Sequence, residues 1–193
     1  MAGQTTAAVA GGAGCALLVV LLLGILLSYS RLVRLRAQAE TTWVQIDAQL
    51  RRRYDLVPHL VETVRAYLPH ERVALDTAVA AYHQALAAAR DTGPAGQAEA
   101  ERVLSRALGG LIAAAEPYGD LRANRTYASL VVELTTAEDK IGYVRAAFNN
   151  AVRSYNTAVR TFPVSLLAGV GGFRPRESFE VTGDERGPLR TRS

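Results

Sequence analysis

Three histidines, His59, His70 and His83, are the first candidates for chemistry in this chain. None has a glutamate three residues before it, so the carboxylate-bridged di-iron pattern of helical bundles is missing. His70-Glu71 opens a zincin-like string, but position 74 is Ala where the second ligand would stand. A phosphate cradle fares no better. There is no P-loop, and Gly169-Val170-Gly171-Gly172 lacks the strand before it and the helix after it that would aim backbone N–H groups at an anion. No Gly-x-Ser-x-Gly elbow exists, and the single cysteine, Cys15, lies in an apolar run where a thiolate is disfavoured. One cysteine also excludes a disulfide framework or a multi-cysteine zinc site. The expectation is a protein that is not an enzyme, with no catalytic residues, no cofactor, no metal and no small-molecule substrate.

Two polar groupings remain. Arg51-Arg52-Arg53 is the sharpest basic cluster. It suits anionic lipid or a phosphorylated partner, but Asp47–Arg51 and Arg51–Asp55 are i,i+4 pairs that would lace a solvated helix face, and that reading is favoured. The second grouping is Arg145, Asn149, Asn156 and Arg160, at helical gaps of 4, 7 and 4. Asparagine is a poor helix former, so this line is either a buried hydrogen-bonded layer or partner surface, or simply a solvated face.

The elements that must carry these residues are helices. Leu32, Leu35, Ala39, Trp43, Ile46, Leu50, Tyr54, Val57, Val61, Val64 and Leu68 recur every three or four positions, one straight apolar stripe. Pro58 lies inside it and predicts a kink. A second helix is expected from His70 to Arg90, with Val73, Ala80 and Leu86 as its contacts. The breaker cluster Asp91-Thr92-Gly93-Pro94-Ala95-Gly96 separates it from a third, from about Gln97 to Glu116, which would bury Leu104, Leu108, Leu111 and Ala115. Asn124 or Thr126 can cap a fourth helix that runs to Phe162 on a stripe from Tyr127 through Leu134, Ile141, Phe148, Val152 and Tyr155. Strand signals are absent. Leu166 to Phe173 is apolar and Gly-rich and would dock on the bundle or dip into a membrane surface, and the charged, Gly- and Pro-containing tail beyond Arg174 predicts disorder.

Ahead of the stripe, Ala7 to Leu27 carries no charge. Twenty-one helical residues rise about 31 Å, the hydrocarbon thickness of a bilayer. No Lys or Arg precedes the run, which argues against a cleavable signal peptide. Arg31, Arg34 and Arg36 follow it, so the positive-inside rule sets the N-terminus outside and the rest in the cytoplasm. These three arginines also suit lipid headgroups. Small residues line the span at fourfold spacing, Ala7, Gly11 and Cys15 on one line and Ala10 and Gly14 on the next, which permits close helix–helix approach and self-association.

The fold expectation is therefore all-α. A short extracellular N-terminus (1–6) leads into a transmembrane helix (7–28). An elongated antiparallel helical bundle follows (29–163), and then a Gly-rich apolar segment with a disordered C-terminal tail (164–193). With 49% hydrophobic and 21% charged residues, disorder of the whole chain is excluded. A net charge of +4 spread along the chain, with a single lysine, Lys140, gives no footprint for nucleic acid.

The stretch Trp43-Val44-Gln45-Ile46-Asp47-Ala48-Gln49-Leu50-Arg51-Arg52-Arg53-Tyr54-Asp55-Leu56-Val57-Pro58 resembles the most distinctive segment of the LemA family of bacterial membrane proteins. Asp120-Leu121-Arg122-Ala123-Asn124, Phe148-Asn149-Asn150-Ala151-Val152, Ser154-Tyr155-Asn156 and Phe162-Pro163 are similar as well. The chain departs at Pro117-Tyr118-Gly119, where the family usually has Asn-Tyr-Pro, and at Ala147-Phe148-Asn149, where it has Arg-Tyr-Asn. The resemblance implies a LemA-like bundle in the cytoplasm on an N-terminal anchor, and it supplies no catalytic residues. The function expected is a membrane scaffold or organiser in the bacterial cell membrane. Its partners would be the lipid bilayer, further copies of itself and another membrane-associated or signalling protein.

Overall fold

The computed structural model describes residues 2–68, 70–162 and 164–180, with the side chains of 2–21, 167 and 170 left aside. Six helices account for nearly all of it: α1 (Ala2–Tyr67), α2 (Arg72–Asp91), α3 (Pro94–Ala115), α4 (Gly119–Ala123), α5 (Arg125–Arg160) and α6 (Val164–Val170). No strand occurs among the described residues. The apolar run and the first stripe thus lie on one uninterrupted helix, which continues through Pro58. Among the described residues no helix is long and apolar enough to cross a membrane. The expected span 7–28 falls mostly on side chains outside the described set, as do Ala7, Ala10, Gly11, Gly14 and Cys15.

The chain divides into two compact units, one of residues 1–40 and 151–176, the other of 41–150 and 177–193. In the larger unit, α1 and α5 run antiparallel. Trp43 meets Phe148, Arg53 meets Glu138, and Tyr67 meets Asn124, so one numbering rises as the other falls. Ile46, Leu50, Tyr54, Val57, Val61 and Val64 are buried from α1, and Tyr127, Leu130, Leu134, Ala137, Ile141 and Phe148 from α5. Asn124 caps α5 by accepting from the N–H groups of Thr126 and Tyr127 at 2.8 and 3.1 Å.

The α2–α3 turn is tighter than the breaker cluster suggests. Only Thr92 and Gly93 lie between the helices, because Pro94 takes the first position of α3, where its missing N–H costs nothing. Gly96 is needed there: a Cβ would come within 2.8 Å of the Thr92 side chain. α3 buries Leu104, Leu108, Leu111 and Ala115 as expected. α2 does not bury the expected face. Val73 is 82% exposed, and Leu75, Ala78, Ala81, Ala85 and Ala88 are buried instead. An alanine-rich helix has methyl groups on every side, so periodicity alone gives little contrast between its faces.

In the smaller unit Leu32 of α1, Tyr155 and Val159 of α5, Ala168 of α6 and Phe173 form one buried cluster, with Leu35, Ala158 and Val164 against it. α6 ends in a Schellman turn. Gly172 has φ +68°, a conformation open to glycine, and the Phe173 N–H donates to the Ala168 carbonyl at 3.0 Å. That turn sends Phe173 back into the cluster, edge-on to Tyr29 at 5.8 Å. The expectation of disorder beyond Arg174 is corrected for residues 174–180 alone. Residues 174–180 are placed by specific contacts, and 181–193 lie outside the described residues.

Candidate functional site

Two polar constellations stand out against the apolar core. The first is in the larger unit. Arg53 is 1% exposed, and its guanidinium meets the Glu138 carboxylate at 2.6 Å, the Glu101 carboxylate at 3.7 Å and the Glu101 backbone carbonyl at 3.4 Å. Tyr54 donates its hydroxyl to the other oxygen of the buried Glu101 carboxylate. Ser105 donates to Glu138 at 2.7 Å, so Glu138 joins Arg53 to α3. Burial raises the Glu101 carboxyl above its ordinary value, opposed by the Tyr54 hydroxyl and the Arg53 charge. Burial and the adjoining Glu101 charge push the Tyr54 hydroxyl up as well. Gln49 Oε1, Arg53 Nε and Glu101 Oε2 are buried with no hydrogen-bond partner among the described residues.

This network contains a charge pair, a phenol and a hydroxyl, but its centre is shut from solvent. It ties α1, α3 and α5 together. A buried pair of this kind adds little net stability over apolar packing, and removing one partner is costly. The arginine triplet therefore separates into three roles. Arg51 pairs with Asp47 at 2.9 Å as expected, Arg52 reaches Glu133 of α5 at 3.6 Å, and Arg53 enters the core. The signal for Arg53 was present. It lies three residues after Leu50 and four before Val57, on the stripe itself. Gln97 and Glu101 likewise continue the line of Leu104 and Leu108 backwards along α3.

The second constellation is the asparagine pair of α5. Neither builds a layer between helices. In the larger unit the buried Asn149 side-chain amide grips the peptide of Phe179: the Phe179 N–H donates to Oδ1 at 2.8 Å, and Nδ2 donates to the Phe179 carbonyl at 3.2 Å. The Phe179 ring is 2% exposed and packs on Trp43 at 5.8 Å. In the smaller unit Asn156 does the same to Arg176, with both bonds at 2.8 Å. The Arg176 guanidinium reaches Glu40 at 2.6 Å and lies over the Tyr155 ring. Asparagine is required because its planar amide offers one donor and one acceptor side by side, the complement of a single residue's backbone. Arg145 and Arg160 take no part and are exposed.

Of the three arginines after the expected span, Arg31 and Arg34 are exposed, and Arg36 pairs with Glu40 at 3.0 Å. No group of three or more His, Cys, Asp or Glu is placed to hold a metal among the described residues.

Helices without strands among the described residues, tied by buried polar contacts, define a helical-bundle protein. The model of the LemA family matches residues 42–191, and the chain belongs to that family. Magnetosome protein MamQ of Magnetospirillum gryphiswaldense is 35% identical over 89 residues, 45% of this chain and 33% of that protein. Magnetosome proteins MamQ 1 and MamQ 2 of Paramagnetospirillum magneticum are each 34% identical over 74 residues, 38% of this chain and 27% of theirs. The match thus spans about a third or less of the length of these curated relatives.

Proposed function

We propose that this chain is a membrane-anchored, non-enzymatic scaffold, inserted once through residues 7–28 and self-associating along the Ala7, Gly11, Cys15 and Ala10, Gly14 lines. The observation that carries the reading is α1, a single helix that takes the uncharged run past Arg31 and Arg34 and into the bundle without a break. Two further points support it. The polar locks hold helices and tail together, and the Arg53–Glu101 contact at their centre is buried. The matched relatives are named for a cell structure, the magnetosome, and not for a reaction.

The flanking arginines orient the chain with its N-terminus outside and the bundle in the cytoplasm. Protease added to intact cells should leave the bundle whole, and digestion of the bundle from outside would refute the orientation. A second reading, an adaptor for another membrane or signalling protein, draws on Val132 and Tyr143 of α5, which are 64% and 78% exposed. The segment 166–173 supports it less, since Ala168 and Phe173 are spent on the chain's own core.

A further inference from the structure

The smaller unit has a one-sided charge. It holds seven arginines, three on α1 (Arg31, Arg34, Arg36), two on α5 (Arg153, Arg160) and two in the tail (Arg174, Arg176), against one carboxylate, Glu40. The whole chain carries +4, so this unit's +6 leaves −2 for the other. The basic character that looks diffuse along the sequence is concentrated in the unit that contains the expected membrane span.

The same unit exposes large apolar side chains at the corner between α5 and α6. Phe162 is 76% exposed and Leu166 is 66% exposed. Their neighbours Val164 and Ala168 face the core, so α6 is amphipathic with Leu166 on its outer side. The corner's level along α1 is fixed by Tyr29, which packs on Phe173, and by Leu32, which shares the cluster with Val159 and Ala168. That is the first turn after the expected span, whose own last turn exposes Leu26 and Leu27 at 62% and 70%.

We propose that the Phe162–Leu166 corner is a second membrane contact, seated in the headgroup–acyl boundary of an anionic bilayer and drawn there by the arginines of this unit. The inference rests on the anchored reading above and adds to it the lipid class and the seat of the bundle. Phe and Leu supply the shallow apolar wedge, and Arg160, two residues before Phe162, with the exposed Arg31 and Arg34 of the same unit, supplies the positive charge that interfacial segments carry beside it. Anionic headgroups are the complement of a unit with an excess of six positive charges.

The test uses the full chain in vesicles, with Cys15→Ala removing the native thiol. An environment-sensitive dye is placed on Leu166→Cys, and separately on Val132→Cys of the larger unit. Lipids spin-labelled near the headgroup serve as quenchers. In phosphatidylglycerol-rich vesicles the dye at 166 should shift to the blue and be quenched. In phosphatidylcholine alone, or with Arg31, Arg34 and Arg160 changed to Gln, the inserted-to-free ratio should fall about tenfold or more. The dye at 132 should stay aqueous. A dye at 166 that remains in water in anionic vesicles, while the protein floats with them after an alkaline wash, overturns this contact and leaves the anchor standing. Equal insertion in both lipids overturns the anionic preference. Protein that fails to float removes the anchor, and this inference with it.

Discussion

Arg53 holds the strongest claim on a single side chain. Its charge is buried between Glu101 and Glu138, so Arg53→Met should cost about 3–5 kcal/mol by stranding the Glu101 carboxylate. Adding Glu101→Leu should restore most of that, because an apolar pair replaces the ions. Urea unfolding of the two variants measures it, and equal losses in both would show that the pair is not coupled. Glu101 also sets a sign for pH. Its carboxyl titrates higher in the folded chain than its ordinary 4.5, so the folded state binds more protons across that interval. Its contribution is fully present below the unfolded value and is lost as pH rises through the folded one. Glu101→Gln does not titrate there, so the variant should gain on the parent as pH climbs from about 4.5 toward neutrality, read from unfolding free energies at both ends. Arg53 and Glu101 were legible in the sequence as charges standing on apolar stripes. Their partnership was not, because a stripe gives the face of a helix and not the residue opposite.

The long helices were the most legible elements. The stripes on α1 and α5 combine large apolar groups with polar backs, so their buried faces follow from spacing, although α5 stops at Arg160 and not at the expected Phe162, which is 76% exposed. α2 failed for lack of contrast, and α4, five residues long, is too short to leave a period. The first part of the tail, residues 174–180, was less legible. Its composition of Arg, Pro, Glu and Ser suggests disorder, yet its order comes from two amides on α5, 20 and 30 residues earlier in the chain. Nothing local announces such a partner. Exchanging Asn149 for Leu should remove both bonds to the Phe179 peptide and cost about 1–3 kcal/mol of tail docking. Amide exchange at Phe179 should then quicken by about tenfold to a hundredfold, and unchanged protection would show that the Trp43 contact alone holds the tail. Asn156→Leu should act in the same way on the Arg176 amide.

Across the whole molecule, family and fold agree on a helical chain. Charge is divided between its two units, with the excess of arginine in the unit that includes the expected span. Each unit has its own polar lock, Arg53 with Glu101 and Glu138 in the larger and Asn156 with Arg176 in the smaller. The proposed scaffold role requires assembly, and the small-residue lines of the span are where self-association is proposed to arise. The deciding measurement is the particle mass of the full-length chain in mild detergent, beside a Gly11→Leu, Gly14→Leu variant. A homo-oligomer for the parent and a monomer for the variant is the predicted result. A monomeric parent at concentrations where detergent micelles are not in excess would contradict it and turn attention to a partner held by the bundle.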